Sequence, residues 1–83
     1  MEKMDALKPD DRVMVIIYGP DDKILYKSTG SGYHNLETAI RDSVEKGNLV
    51  INPEDCVFEV LNETKDVSHK YRLNAHGHIK LII

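Results

Sequence analysis

Residues 35–47, N-L-E-T-A-I-R-D-S-V-E-K-G, are the one stretch of this chain that reads as a helix. Leu36, Ala39, Ile40, Ser43 and Val44 recur at i, i+3, i+4, i+7 and i+8, a single stripe of 3.6-residue period. Glu37, Arg41, Asp42, Glu45 and Lys46 take the opposite side. Asn35 suits the N-cap, Glu37 favours the positive end of the dipole, and Lys46 followed by Gly47 suits the last turn. A helix this short is not stable alone in water, so its stripe must lie on another element. Everything else in the chain reads as strand or turn.

Arg12 to Tyr18, R-V-M-V-I-I-Y, is rich in β-branched residues and, after Arg12, continuously apolar on both faces, the pattern of a buried strand. Gly19-Pro20-Asp21-Asp22 is a turn, and Lys23 to Ser28 returns as a second strand. A three-residue and a four-residue loop both fit here, and they place opposite halves of the first strand toward the core. On the far side of the helix, Cys56 to Asn62, Val67 to Asn74 and His78 to Ile83 are three more strands. A four-residue loop at 63–66 pairs Phe58 with Tyr71, Cys56 with Leu73 and Val60 with His69. A three-residue loop at 75–77 pairs Leu73 with Ile79, Tyr71 with Leu81 and His69 with Ile83. Both registers send one apolar set to one face, and a one-residue slip in either would break the match.

The fold expected is therefore α+β and two-layered: a five-stranded, mainly antiparallel sheet of element order β-β-α-β-β-β with one helix on one face. Residues 12–83 form the domain, and residues 1–11 are a tail or a short capping segment that carries Met4 and Leu7. The two most apolar strands, 12–18 and 78–83, are expected side by side, giving the strand order 2-1-5-4-3. Phe58, Tyr71, Leu73, Leu81 and Ile40 are the expected core.

Within residues 22–44, D-K-I-L-Y-K-S, then G-Y, then a helix carrying A-I-x-x-S-V, resembles the repeat of the small bacterial YegP-like proteins. The likeness covers under a third of the chain, the remainder departs from that pattern, and it implies no function here.

Composition narrows the functional classes. No run approaches the roughly 18 apolar residues of a membrane span, and the N-terminus lacks the apolar core of a signal peptide, so a soluble cytoplasmic protein is expected. Cys56 stands alone, which rules out an internal disulfide and a cysteine-based zinc site. The register sends Cys56 into the core, where it acts as a small apolar residue. His76 and His78 flank Gly77 with no third ligand at a suitable spacing. The loop Ser28-Thr29-Gly30-Ser31-Gly32-Tyr33 opens onto a helix but lacks the spacing and lysine of a phosphate loop. His69, on the apolar face, reads as a structural histidine at the rim. No cofactor, metal or enzymatic activity is expected.

The outward face of the sheet carries the features that need explaining. Val57, Leu61 and Ile82 fall there with Leu25, joined by either Met14, Ile16 and Tyr18 or Val13, Val15 and Ile17. Seven apolar residues in adjacent strands exceed what a soluble monomer usually exposes. Either the N-terminal segment or a second molecule must cover them, and a homodimer with Leu25, Val57, Leu61 and Ile82 in its interface is the first expectation. Arg72 falls opposite Lys80 on the same face, which opposes like charges. With Lys70 and His78 they form a basic strip, a candidate site for an anion, an acidic protein or nucleic acid. Charge is uneven along the chain: residues 1–64 hold 7 Lys/Arg against 13 Asp/Glu, and residues 65–83 hold 4 against 1.

Overall fold

The structure, a computed structural model, describes residues 7–49, 52–74, 76 and 78–82. Helix α1 spans Leu36–Gly47 and begins where its cap dictates. Asn35 is extended, and its side-chain oxygen accepts from the Thr38 N–H and the Thr38 hydroxyl, each at 2.8 Å. Ala39, Ile40 and Ser43 are buried, with Leu36 and Val44 packed beside them. Arg41 pairs with Glu37 and Lys46 with Asp42 along the exposed side, each one helical turn apart.

The end of α1 differs from the sequence expectation. Gly47 stays helical, and Asn48 takes the left-handed position (φ 49°) with its N–H on the Glu45 carbonyl. The reason lies in packing, because a Cβ at position 47 would stand 3.0 Å from Cγ of Tyr26. Gly47 is there to let the helix approach that ring. Alanine at an ordinary helical glycine gains up to about 1 kcal/mol. Gly47→Ala is expected to reverse that sign and lower the urea midpoint, because the Tyr26 atoms it meets lie close to the backbone and have little room to yield.

Strands β1 (Val13–Tyr18), β2 (Ile24–Gly30), β3 (Val57–Asn62), β4 (Val67–Leu73) and β5 (Ile79–Leu81) form one open sheet in the order β2-β1-β3-β4-β5, every neighbour antiparallel. The fold is α+β with the helix on one face, as expected, but the order 2-1-5-4-3 is corrected. β3, not β5, lies beside β1. Among its described residues, 78–82, the apolar side chains are spread over both faces and three residues, Ile79–Leu81, form strand. β3 instead alternates buried and half-buried residues over six positions, matching Phe58 to Ile17 and Val60 to Val15. β2 and β3 both run antiparallel to β1, so β2-α1-β3 is a crossover between parallel strands, and it lays α1 over β1 between them.

The registers expected around β4 are present: Phe58 pairs with Tyr71, Val60 with His69, Leu73 with Ile79 and Tyr71 with Leu81. Cys56 precedes β3 and is fully buried. The His69–Ile83 pair lies outside the described residues. In the first hairpin Gly19 N–H donates to the Lys23 carbonyl at 2.8 Å, and Asp22 takes the left-handed position (φ 67°), so the loop has three residues. The ladder then slips, because Ile17 pairs with Tyr26 while Tyr18 pairs with Ile24, leaving Leu25 as a bulge. That slip turns Val13, Val15 and Ile17 to the helix and Met14, Ile16 and Tyr18 away from it.

Strand order decides the core. α1 packs on β2, β1 and β3, and Ile17, Phe58, Ile40, Val13, Val15, Cys56 and Ser43 are its most completely enclosed side chains. Tyr71 is buried too, but Leu73 is only half-buried and Leu81 is 51% exposed. Both were expected in the core. β5 stands at the sheet edge, to one side of the strands β2, β1 and β3 on which α1 packs, and Ile79 is its residue packed against the core.

Leu7 is buried against this same inner layer, beside Leu36, Val60, Val67 and Tyr71. Met4 lies outside the described residues. Behind Leu7, Asp11 is 4% exposed and accepts from the Asn62 amide at 3.0 Å and the Lys8 N–H at 3.1 Å. Gly32 N–H on the Pro9 carbonyl and Glu63 N–H on the Arg12 carbonyl tie the segment down on both sides. The Asn62 amide, the Lys8 N–H and the Lys65 and Lys8 charges hold the Asp11 carboxyl below the usual carboxylate range. The Tyr33 hydroxyl and Lys46 do the same for Asp42. A depressed folded-state value contributes stability that is complete above the unfolded value, about 3.9, and is lost as pH falls through the folded one. The urea midpoint should therefore drop below about pH 4, with Asp11→Ala less stable at neutral pH and less acid-sensitive than the parent.

The outer sheet face as the candidate interface

The sheet has two layers of side chains and one helix, so the face opposite α1 has no covering element among the described residues. It is built in rows across the strands. One row runs Ile24, Tyr18, Val57; the next runs Lys27, Ile16, Glu59, Lys70; a third runs Thr29, Met14, Leu61, Ser68. Arg72 and Lys80 pair directly across β4 and β5, as the sequence implied, and Ile82 N–H donates to the Lys70 carbonyl beside them.

The apolar residues occupy the middle of this face and the cations its flanks. Met14, Ile16, Tyr18, Val57 and Leu61, from the two central strands β1 and β3, are each half-buried by their neighbours. Lys27 stands on one side; Lys70, Arg72 and Lys80 stand on the other. Arg72, Lys80 and Lys27 are exposed, and none of the ion pairs among the described residues involves them. The one acid within the apolar strip, Glu59, accepts a 2.7 Å hydrogen bond from the Tyr18 hydroxyl. That bond, with burial and the Glu59 charge behind it, pushes the Tyr18 hydroxyl above its ordinary value. Lys70 Nζ lies 5.4 Å from the centre of the Tyr18 ring, capping its face. Tyr18, Val57, Lys70 and Ile82 line a shallow concavity here, with Asp22 at its rim.

Of the four residues expected at an interface, Val57, Leu61 and Ile82 stand together on this face, Ile82 at 40% exposure. Leu25 does not join them in register. The bulge carries it out of the ladder against Gly19, and Ile24, 52% exposed, takes the place beside Tyr18. A bulge is a tertiary adjustment with no signature in D-K-I-L-Y, so alternation alone misassigned both residues. Of the basic strip, Lys70, Arg72 and Lys80 share the face. His78 is exposed at its end, its N–H held by Asn74 and its ring 6.2 Å from that of His76. Leu7 does not cover this face, since it packs on the helix side.

Other candidate chemistry is occupied structurally. Burial, with Asp55 nearby, pushes the Cys56 thiol up, and its S–H points to the Asn52 carbonyl at 3.8 Å, a protonated and enclosed group rather than a nucleophile. In the Gly/Ser loop, the Gly32 N–H is taken by Pro9 and the Tyr33 hydroxyl by Asp42. Among the described residues no three His, Cys, Asp or Glu side chains converge as a metal site, and no helix is long and apolar enough to cross a membrane.

The class these features define is a two-layer α+β domain whose outer sheet face, among the described residues, carries no covering element, with apolar residues at its centre and cations at its flanks. Comparison with protein families, with curated proteins and with solved structures finds no match for this chain.

Proposed function

We propose that this chain is an association domain, acting by burying its outer sheet face against another macromolecule rather than by catalysis. One observation carries the reading: Met14 and Ile16 on β1 and Val57 and Leu61 on β3 share one face around Glu59, with no layer over it among the described residues. A second copy of the chain is the simplest occupant, since symmetric dimers are the commonest oligomers. Sedimentation over a concentration series tests this form. A mass that rises from 9.5 kDa toward twice that value, and falls back in Leu61→Asp or Ile82→Asp, supports it. Either substitution would place an unpaired carboxylate in a dry contact.

The opposition of Arg72 and Lys80 favours a second reading, in which Lys70, Arg72, His78 and Lys80 bind a polyanion. Its signature is salt dependence, with a log–log slope of about −0.7 for each single-strand phosphate neutralised. Arg72→Gln with Lys80→Gln should then abolish binding to a labelled oligothymidylate. Binding that ignores salt removes this reading.

A further inference from the structure

Resting on the association reading, we infer that the outer face takes a second copy of this chain about a two-fold axis along β1, with Lys27 of each copy paired to Glu59 of the other. Facing sheets lie about 10 Å apart with strand directions within about 30° of each other. A crossing of that size moves residues one strand from the axis by less than one residue along the strand. An axis along β1 sets β1 over its own copy and β2 over β3, and the pairing rows fix what meets what. Ile16 meets Ile16, and Lys27 meets Glu59 on both sides of the axis. In the neighbouring rows Ile24, 52% exposed, meets Val57, and Thr29 meets Leu61, with Tyr18 and Met14 on the axis. Lys27 is exposed and enters none of the ion pairs among the described residues. Glu59 accepts the Tyr18 hydroxyl at Oε1, so Oε2 is the oxygen a facing lysine would take.

The other face-to-face two-folds fit these charges less well. An axis between β1 and β3 brings Lys27 over Lys70, and one along β3 brings Glu59 over Glu59. An axis across the strands at the Ile16 row sets Lys27, Glu59 and Lys70 each over its own copy. Shifted half-way to either neighbouring row, it sets Glu59 over Leu61 or Val57. Like charges in register suppress a pairing, and a carboxylate dried against an apolar side chain does the same. Axes nearer β2 leave β3 without a facing strand, and one along β4 leaves β1 without one. The β1 axis alone of these opposes unlike charges and keeps both central strands covered. It also leaves Lys70, Arg72, Lys80 and Ile82 on the part of the sheet that overhangs the partner, so the like-charged Arg72–Lys80 pair stays in solvent. Asp22, at the rim of the concavity, is exposed in the turn past the Tyr18 row.

The test is sedimentation of the full chain from about 1 μM to about 1 mM, with circular dichroism confirming that each variant folds. The parent is expected to dimerise. Lys27→Glu sets a glutamate over Glu59 twice in the dimer, and Glu59→Lys sets a lysine over Lys27 twice. Each variant alone should therefore dimerise about tenfold more weakly or worse. An equimolar mixture of the two should regain the dimer, because each copy then offers charges opposite to those it faces. A fault confined to one chain would not be repaired in this way. Leu61→Asp should break the dimer, and Ile82→Asp should spare it, since Ile82 lies outside the overlap. A dimer tightened by Lys27→Glu has Lys27 over Lys70 and overturns this axis. Indifference to both charge reversals, no rescue on mixing, or loss of the dimer in Ile82→Asp overturns it too, and each leaves the association reading standing if Leu61→Asp still breaks the dimer. A parent that stays monomeric throughout, or a dimer untouched by Leu61→Asp, removes the inference and self-association through this face together.

Discussion

Phe58→Ala should destabilise the protein by about 3–5 kcal/mol, enough to consume much of the stability of a domain this small. Phe58 is completely enclosed, paired with Ile17 on β1 and with Tyr71 on β4 at the centre of the inner layer. Removing the ring deletes its burial and leaves a cavity that two flanking strands, held by their ladders, are poorly placed to close. Urea unfolding followed by circular dichroism would read the loss directly. A change under about 1 kcal/mol would mean that β3 does not occupy the middle of the sheet. Leu81→Ala is the natural control, since Leu81 is 51% exposed and surface substitutions fall within about 0.5 kcal/mol. Had β5 been central, the two costs would be similar.

Ile40→Ala is the second large effect, at about 2–5 kcal/mol. Ile40 is 1% exposed at the middle of the α1 stripe, between Ala39 and Ser43. Alanine is the better helix former, so local propensity predicts a gain of some tenths of a kcal/mol. The packing term is several times larger and should win. A variant as resistant to urea as the parent would show that the helix is held by its caps and ion pairs, which this geometry denies.

Much of the fold was legible because its signals are local. Asn35 caps the helix because a short side-chain oxygen can reach the amide of Thr38 three residues on, a relation contained in four residues. The registers of β3 with β4 and β4 with β5 follow from loop length and alternation, so Phe58 facing Tyr71 and Arg72 facing Lys80 could both be read from spacing. The basic strip was readable for the same reason, and so were Val57, Leu61 and Ile82 as a shared face.

Only the tertiary structure decided the rest. Which strand lies beside β1 depends on how a helix crosses the sheet, and total apolarity does not encode it. β3 won that place through six alternating residues, where the described part of the last segment offers three in β5. That choice exposed Leu81 and centred the apolar strip between two cationic flanks. The bulge at Leu25 arises where the three-residue turn and the inward face of Ile17 make conflicting demands on one strand, and it exchanged the roles of Ile24 and Leu25. Gly47 looked like a helix stop from sequence, but the ring of Tyr26 beneath it makes it a contact point and passes the stop to Asn48. Asp11 looked like one more turn residue, because its partner Asn62 is 51 positions away. A chain read locally reports periods and caps; contacts between distant residues are settled only when the layers meet.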